Sequence, residues 1–298
     1  MINKKIGIII ILTIFIFSST GPSKDQSVDL KYETVDKNLK DKNMILIENL
    51  LNTGEISVNT NMGLTSYLDA EFNGVEDDLL IQLHFSKINL DLYNRELSIL
   101  DKKARKVNLK GKNEVEKELQ QKALNKWINL SINSKGMIKD KYYPPVLDKI
   151  KTFDIASTAE QLIIKFPKEE IQIGHQWKED YKSTIPSFDK NQPIHGAIKY
   201  TYLGTKDHNS LLCHKVQVSL FLEEERKLGE GGKQGITRVS RMGSGTLYFA
   251  VDGNYLVESK VSSDLTLLSV TEESDGQKYR NFIRTKIDQN IYLLNNSQ

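Results

Sequence analysis

The stretch Gly243–Val261, GSGTLYFAVDGNYLVESKV, decides how this chain is read. Leu247, Phe249 and Val251 alternate with polar or small neighbours, the period of a half-buried strand. Asp252-Gly253 is a tight-turn dipeptide, and Tyr255 to Val261 returns as a second strand. A similar hairpin stands earlier, at Trp127–Lys139, WINLSINSKGMIK, with Lys135-Gly136 at its turn. Two such hairpins, each late in its own half, predict one sheet-building plan used twice.

Working outward, Ile171 to the C-terminus is almost wholly strand-like. Strands are expected over Gly196–Leu203, Leu211–Leu222, Ile236–Val239, Gly245–Val251, Tyr255–Val261, Leu265–Glu272 and Tyr279–Leu294. Turns are expected at Gly204 and Asp275-Gly276. The polar, glycine-containing run Glu223–Gly235, EEERKLGEGGKQG, reads as a loop. In the first half, Asp29–Lys37, Met44–Leu51 and Gly63–Phe72 read as strands, the last ending at Asn73-Gly74. Between Leu79 and Tyr93 the apolar residues change phase near Ser86-Lys87. A β-bulge there would keep one apolar face on a long strand.

Two helical segments interrupt the strands. Val115, Leu119, Ala123 and Trp127 recur at four-residue steps, with Asn113 and Glu116 spaced as a capping box. The second, 143–167, begins at Pro144-Pro145 and stops at Pro167. The order of strands, then helices, then strands argues an α+β fold with a large curved antiparallel sheet, an open half-barrel under a few covering helices. A single domain over 24–298 is expected, in two similar halves, about 28–142 and 168–294, joined by 143–167.

The N-terminus has the layout of a secretory signal over residues 1–20. Lys4-Lys5 precedes an apolar run from Ile6 to Phe17, and small residues follow at Ser18–Gly21. The run is shorter than the ~20 residues that span a bilayer. Export to a periplasm, a cell surface or the medium is the expectation, with an uncleaved membrane anchor as the alternative. The 41 basic and 39 acidic residues leave a net charge of +2, which argues against a dedicated nucleic-acid binder. One cysteine, Cys213, excludes an internal disulfide.

No motif supplies a reaction. The five histidines lack zinc-ligand spacing. Cys213 and His214, adjacent on a strand, point to opposite faces and cannot readily grip one metal. Gly243-Ser244-Gly245 leads into a strand, not a helix, so it fails as a nucleophile elbow and reads as the start of a strand. No catalytic, cofactor or metal residue is assigned. The basic run Lys102–Lys112 reads as a solvated loop before a helix, or as a patch for anionic headgroups.

Several of these features resemble exported bacterial proteins of the Bacteroidetes type. The residues are Ile171-Gln172-Ile173-Gly174-His175-Gln176-Trp177 and the late hairpin positions Gly243, Gly245, Phe249 and Gly253. That group looks like the half-barrel of lipoprotein carriers of the LolA type. The resemblance implies a sheltered apolar cavity and transfers no binding residue. The candidate cavity residues are Trp127, Trp177, Leu247, Phe249 and Val251, although the two tryptophans also read as core anchors. Two functions follow as expectations: a non-enzymatic binding protein that shelters a lipid or other apolar ligand, or a structural partner of an envelope protein with a packed core.

Overall fold

A computed structural model describes residues 27–33, 37–53, 56–75, 77–99, 111–147, 159–160, 162–183, 194–230, 233–253, 255–272 and 278–294. The proposed signal segment, residues 102–110 of the basic run Lys102–Lys112 and the turn at Asp275-Gly276 lie outside these residues. The strands are β1 (Lys37–Asn52), β2 (Ile56–Val75), β3 (Asp78–Ile99), β4 (Ile128–Asn133), β5 (Ile138–Tyr142), β6 (Gln176–Ser183), β7 (Ile194–His208), β8 (Leu211–Glu230), β9 (Lys233–Ala250), β10 (Leu256–Glu272) and β11 (Lys278–Leu293). The α-helix described over its full length is α1 (Lys112–Ala123), and Ala159-Glu160 are also helical.

All strands belong to one open, curved antiparallel sheet of order β5-β4-β3-β2-β1-β11-β10-β9-β8-β7-β6. The first five form a meander, the last six form another, and β1 pairs with β11 to join them. The opening stretch forms the β9–β10 hairpin, with its turn at 251–253 and Gly253 at φ 85°. Lys135-Gly136 turns β4 into β5. The phase change near Ser86-Lys87 is a bulge: Tyr67 pairs with Lys87 but Leu68 with Phe85. A second shift follows between Gly63 and Leu64. With both, Phe85, Ile88 and Leu90 are all buried.

The strands are longer than the sequence pattern suggests. Glu223–Gly235 is not a loop: β8 runs through Glu230 and β9 starts at Lys233. Its charged residues find partners in the strands: Glu225 lies opposite Arg238 and accepts its Nη2–H at 2.6 Å, and Arg226 donates Nε–H to Glu224 at 2.5 Å. Gly243 therefore sits inside β9 and does not open it. Gly204 marks a bulge between Tyr202 and Thr205, and the turn falls at Asn209-Ser210, both at positive φ. This is the backbone that a two-residue type I′ hairpin requires. Asn73-Gly74 is likewise inside β2, and Val75 pairs with Asp78 beyond it. In Asp29–Lys37 the described residues before Lys37 are not in a strand.

α1 protects an edge. β4 covers β3 only from Asp78 to Leu83, which leaves backbone groups of β3 open beyond that point. Asn125 N–H donates to Phe85 O (3.0 Å), Gln120 Nε2 donates to Ile88 O (3.0 Å), and Leu90 N–H donates to Glu116 Oε1 (3.1 Å). Val115, Leu119 and Ala123 are buried beneath, as their spacing predicts. The N-cap is Gly111, whose N–H donates to Glu114 Oε2 at 3.2 Å. The expected Asn113–Glu116 box is absent because Glu116 is committed to β3. In the expected helical segment 143–167, residues 148–158 and 161 lie outside the described residues, Ala159-Glu160 are helical, and Ile163–Phe166 is irregular, held by hydrogen bonds to Tyr32 and Lys135.

Gly136 fixes one corner of this cover. It has φ +77°, and an added Cβ would fall 2.0 Å from Ile164 O. Gly136→Ala is expected to destabilise the protein by roughly 2 kcal/mol or more. The thermal midpoint of the variant checks this, and an unchanged midpoint contradicts it.

Candidate ligand-binding face

Alternation along the strands places most of the buried apolar side chains on one face of the sheet, while Met44, Leu46, Phe221 and Met242 stand exposed on the other. The register aligns them into cross-strand rows. One runs through Tyr202, Val216, Leu247, Ser259, Ile291, Asn43 and Ser66. The next runs through Tyr200, Val218, Gly245, Val261, Gln289, Ile45 and Leu64. A third holds Ile198, Leu220, Gly243, Ser263, Ile287, Ile47 and Met62. The opposite face carries ion pairs such as Arg284–Asp264 (2.5 Å) and Lys286–Asp288 (3.0 Å).

Irregular segments cover one end of the apolar face. Val28 and Ile171 exchange backbone hydrogen bonds at 2.8 and 2.9 Å. Ile164 N–H donates to the buried Tyr32 hydroxyl at 2.9 Å. Burial holds that phenol well above its ordinary range. Phe166 meets Phe249 edge-on, with ring centroids 5.6 Å apart, and Tyr32 packs on Phe166 at 5.0 Å. This end is well filled. Two pockets beside Tyr32 and Phe72 have volumes of about 80 and 10 Å³. Drug-sized ligands occupy roughly 300–1,000 Å³.

Farther along the strands the face is more open. Ile47, Ile198, Leu220, Val261 and Ile287 are half-buried. Beyond them Leu265 and Ile283 are half-buried beside a buried cluster of Ile194, Leu222, Val239 and Leu267. Outside the sheet, α1 packs on β3. Gly245 keeps β9 close to β10 in these rows, since a Cβ there would fall 2.2 Å from Lys260 O.

The five residues singled out from sequence do not converge. Leu247 and Phe249 lie on the apolar face and are buried. Val251 is in the turn, where its N–H donates to Leu212 O at 2.9 Å. Trp177 packs against the main core, donates Nε1–H to Lys165 O at 2.8 Å and stacks on Tyr200 at 5.2 Å. Trp127 follows α1, is 41% exposed and packs on His84 at 4.2 Å, on the polar side of the sheet.

Pattern reading missed a buried polar group on the apolar face. Asp41, Asn43 and Ser66 are at most 5% exposed. Among the described residues, Asp41 Oδ1, Asn43 Nδ2 and Ser66 Oγ have no hydrogen-bond partner. Asn43 Oδ1 accepts a long bond from Gln289 Nε2, 3.4 Å. Asp41 lines the smaller pocket. A signal existed: Leu39, Asp41, Asn43 and Ile45 share one strand phase, so the two polar residues occupy apolar positions.

Cys213 and His214 do point apart. Cys213 is buried with Ala250 and Val257, while His214 Nδ1 is hydrogen-bonded to the Tyr202 hydroxyl at 3.0 Å. Burial pushes the thiol up to about 11 and the imidazole down to about 4. Among the described residues no three His, Cys, Asp or Glu side chains gather as metal ligands.

No family model and no curated protein matches the chain. Among solved structures, a chain from work on lipid–protein interactions in lipovitellin is similar, with a TM-score of 0.46 and 13% identity. The similarity covers 88% of this chain and 25% of that one, so this chain spans about a quarter of its length. At that score the likeness supplies no functional argument.

Burial raises the Asp41 carboxyl from its ordinary 3.8 to about 7. The folded state therefore keeps a proton that the unfolded state releases. Stability is full below about pH 4 and falls as pH rises to about 7. Asp41→Asn is expected to flatten this decline and, at pH 8, to stabilise the fold by up to about 4 kcal/mol. Urea unfolding of both proteins from pH 4 to 8 measures it. Parallel pH profiles would contradict the assignment.

Proposed function

We propose that this protein is an exported, non-enzymatic binding protein that holds a lipid or other apolar ligand against the open rows of its sheet. One observation carries the reading: half-buried Ile47, Ile198, Leu220, Val261 and Ile287 stand in a strip of two adjacent rows of the apolar face, interspersed with Gly243, Gly245, Ser263 and Gln289, beside a filled end. Burying such a strip stabilises a complex by roughly 25 cal/mol for each Å² removed from water. An acyl chain could lie along the rows without a closed cavity. The secretory layout of the N-terminus supports a place in the cell envelope, and the likeness to lipoprotein carriers belongs to this same proposal.

The small volume of the described pockets favours a second reading, an envelope interaction protein whose strip meets another protein. Native mass spectrometry of protein purified from its own envelope, without detergent, separates the two. A bound lipid mass is expected, and Ile287→Lys is expected to abolish it while the variant still unfolds cooperatively. A wild-type protein that carries no lipid overturns the first reading.

A further inference from the structure

We propose that the polar face of the sheet is a binding surface for a linear acidic polysaccharide lying across the strands. The register places Lys215, Tyr248, Tyr292, Lys42, Tyr67 and Lys87 in one cross-strand row, with Glu258 between the first two tyrosines. Seven strands at a spacing of ~4.8 Å make a track about 29 Å long. Basic and aromatic side chains thus interleave along a line, although these residues are scattered from 42 to 292 in the chain.

Rings in this region carry lysines above them. Lys87 Nζ lies 5.7 Å from the centre of the Tyr67 ring, and Lys260, one row over, lies 5.6 Å from that of Tyr292. Among the described residues no carboxylate pairs with Lys42, Lys87 or Lys215. Glu258 is 3% exposed and already engaged, by Lys260 Nζ at 2.5 Å and by His208 Nε2. His208 in turn stacks on Tyr248 at 3.8 Å. The one acid in the row is therefore neutralised from within the protein.

The adjacent row supplies a different chemistry. Gln176, Thr201, Gln217, Thr246 and Asn290 align beside the basic row. Amides, hydroxyls and phenol O–H groups donate to and accept from sugar hydroxyls, and lysines pair with carboxylates. The face is unsuited to broad or densely charged anions. In the next two rows Asp288 and then Asp264 stand paired with Lys286 and Arg284, so charge there is balanced. A duplex or a flat anionic bilayer would press on those acids. A slender chain confined to the basic row and its neighbour would not.

This surface is on the other side of the sheet from the apolar strip, so its test is independent of lipid binding. Calorimetric titration of the full chain with polygalacturonic acid is the experiment, with dextran, poly(dT) and phosphatidylglycerol vesicles as competitors for the assignment. Polygalacturonate is expected to bind, more weakly as salt rises, and dextran not to bind. Lys42→Glu and Lys87→Glu are each expected to weaken binding roughly tenfold. Lys227→Glu, an equal change of charge on β8 away from the row, is expected to leave it unchanged. Should either glutamate variant misfold by circular dichroism, the corresponding glutamine variant replaces it. The proposal is overturned by failure of polygalacturonate to bind, by tighter binding of poly(dT) or vesicles, or by binding that the lysine variants do not alter.

Discussion

The pairing of β1 with β11 is the constraint on which the rest of the structure depends. It runs from Asp41 opposite Leu293 to Asn52 opposite Phe282, joining the two ends of the chain. Each meander could form from local hairpins, but neither fixes which way its apolar face points relative to the other. A one-residue slip at this seam would turn Met44, Leu46 and Leu50 inward and Ile45 and Ile47 outward. Side chains across the seam oppose that slip. Thr285 Oγ1 donates to Asn49 Oδ1 at 3.1 Å, directly opposite, and Gln289 reaches Asn43 diagonally. Closing a seam between residues so distant in sequence is entropically costly, which makes it the expected slow step of folding.

The seam also explains where the sheet carries its polar burden. Asp41 and Asn43 stand in β1, beside the central strand β11, on the face that is mostly apolar. Leaving such groups without partners costs about 1–3 kcal/mol each. The sheet tolerates this because the flanking rows, from Leu64 and Leu68 to Phe249 and Ile291, are thoroughly buried. Asp41 in particular is kept neutral by its surroundings up to about pH 7.

Two faces of one sheet thus have separate chemistries. On one, covered and open apolar rows follow each other along strands of up to 22 residues. On the other, ion pairs, hydroxyls and interleaved lysine and tyrosine side chains meet water. Both arise from the same period of two, so every strand contributes to both. α1 and the segments around Tyr32 and Phe166 close one end and one edge and leave the remaining strand ends free of covering helices or strands among the described residues.

Much of this was legible in the residues. The hairpin at Asp252-Gly253, the turn at Lys135-Gly136, the bulge near Ser86 and the buried stripe of α1 all follow from local pattern, because each depends on a few neighbouring residues. The large antiparallel sheet follows from alternation in both halves. Local pattern could not set strand length, since Glu225 is stable in a strand through Arg238 across the pair. It could not tell the bulge at Gly204 from a turn, nor place Trp127 outside the core. It could not align Lys42, Lys87 and Lys215, which meet through pairings of distant strands. The sequence by itself determined which residues alternate and where the chain can reverse. The tertiary structure alone decided register across the seam, and with it which side chains share a row, because hydrogen-bond pairing between strands is set by long-range packing that no local window contains.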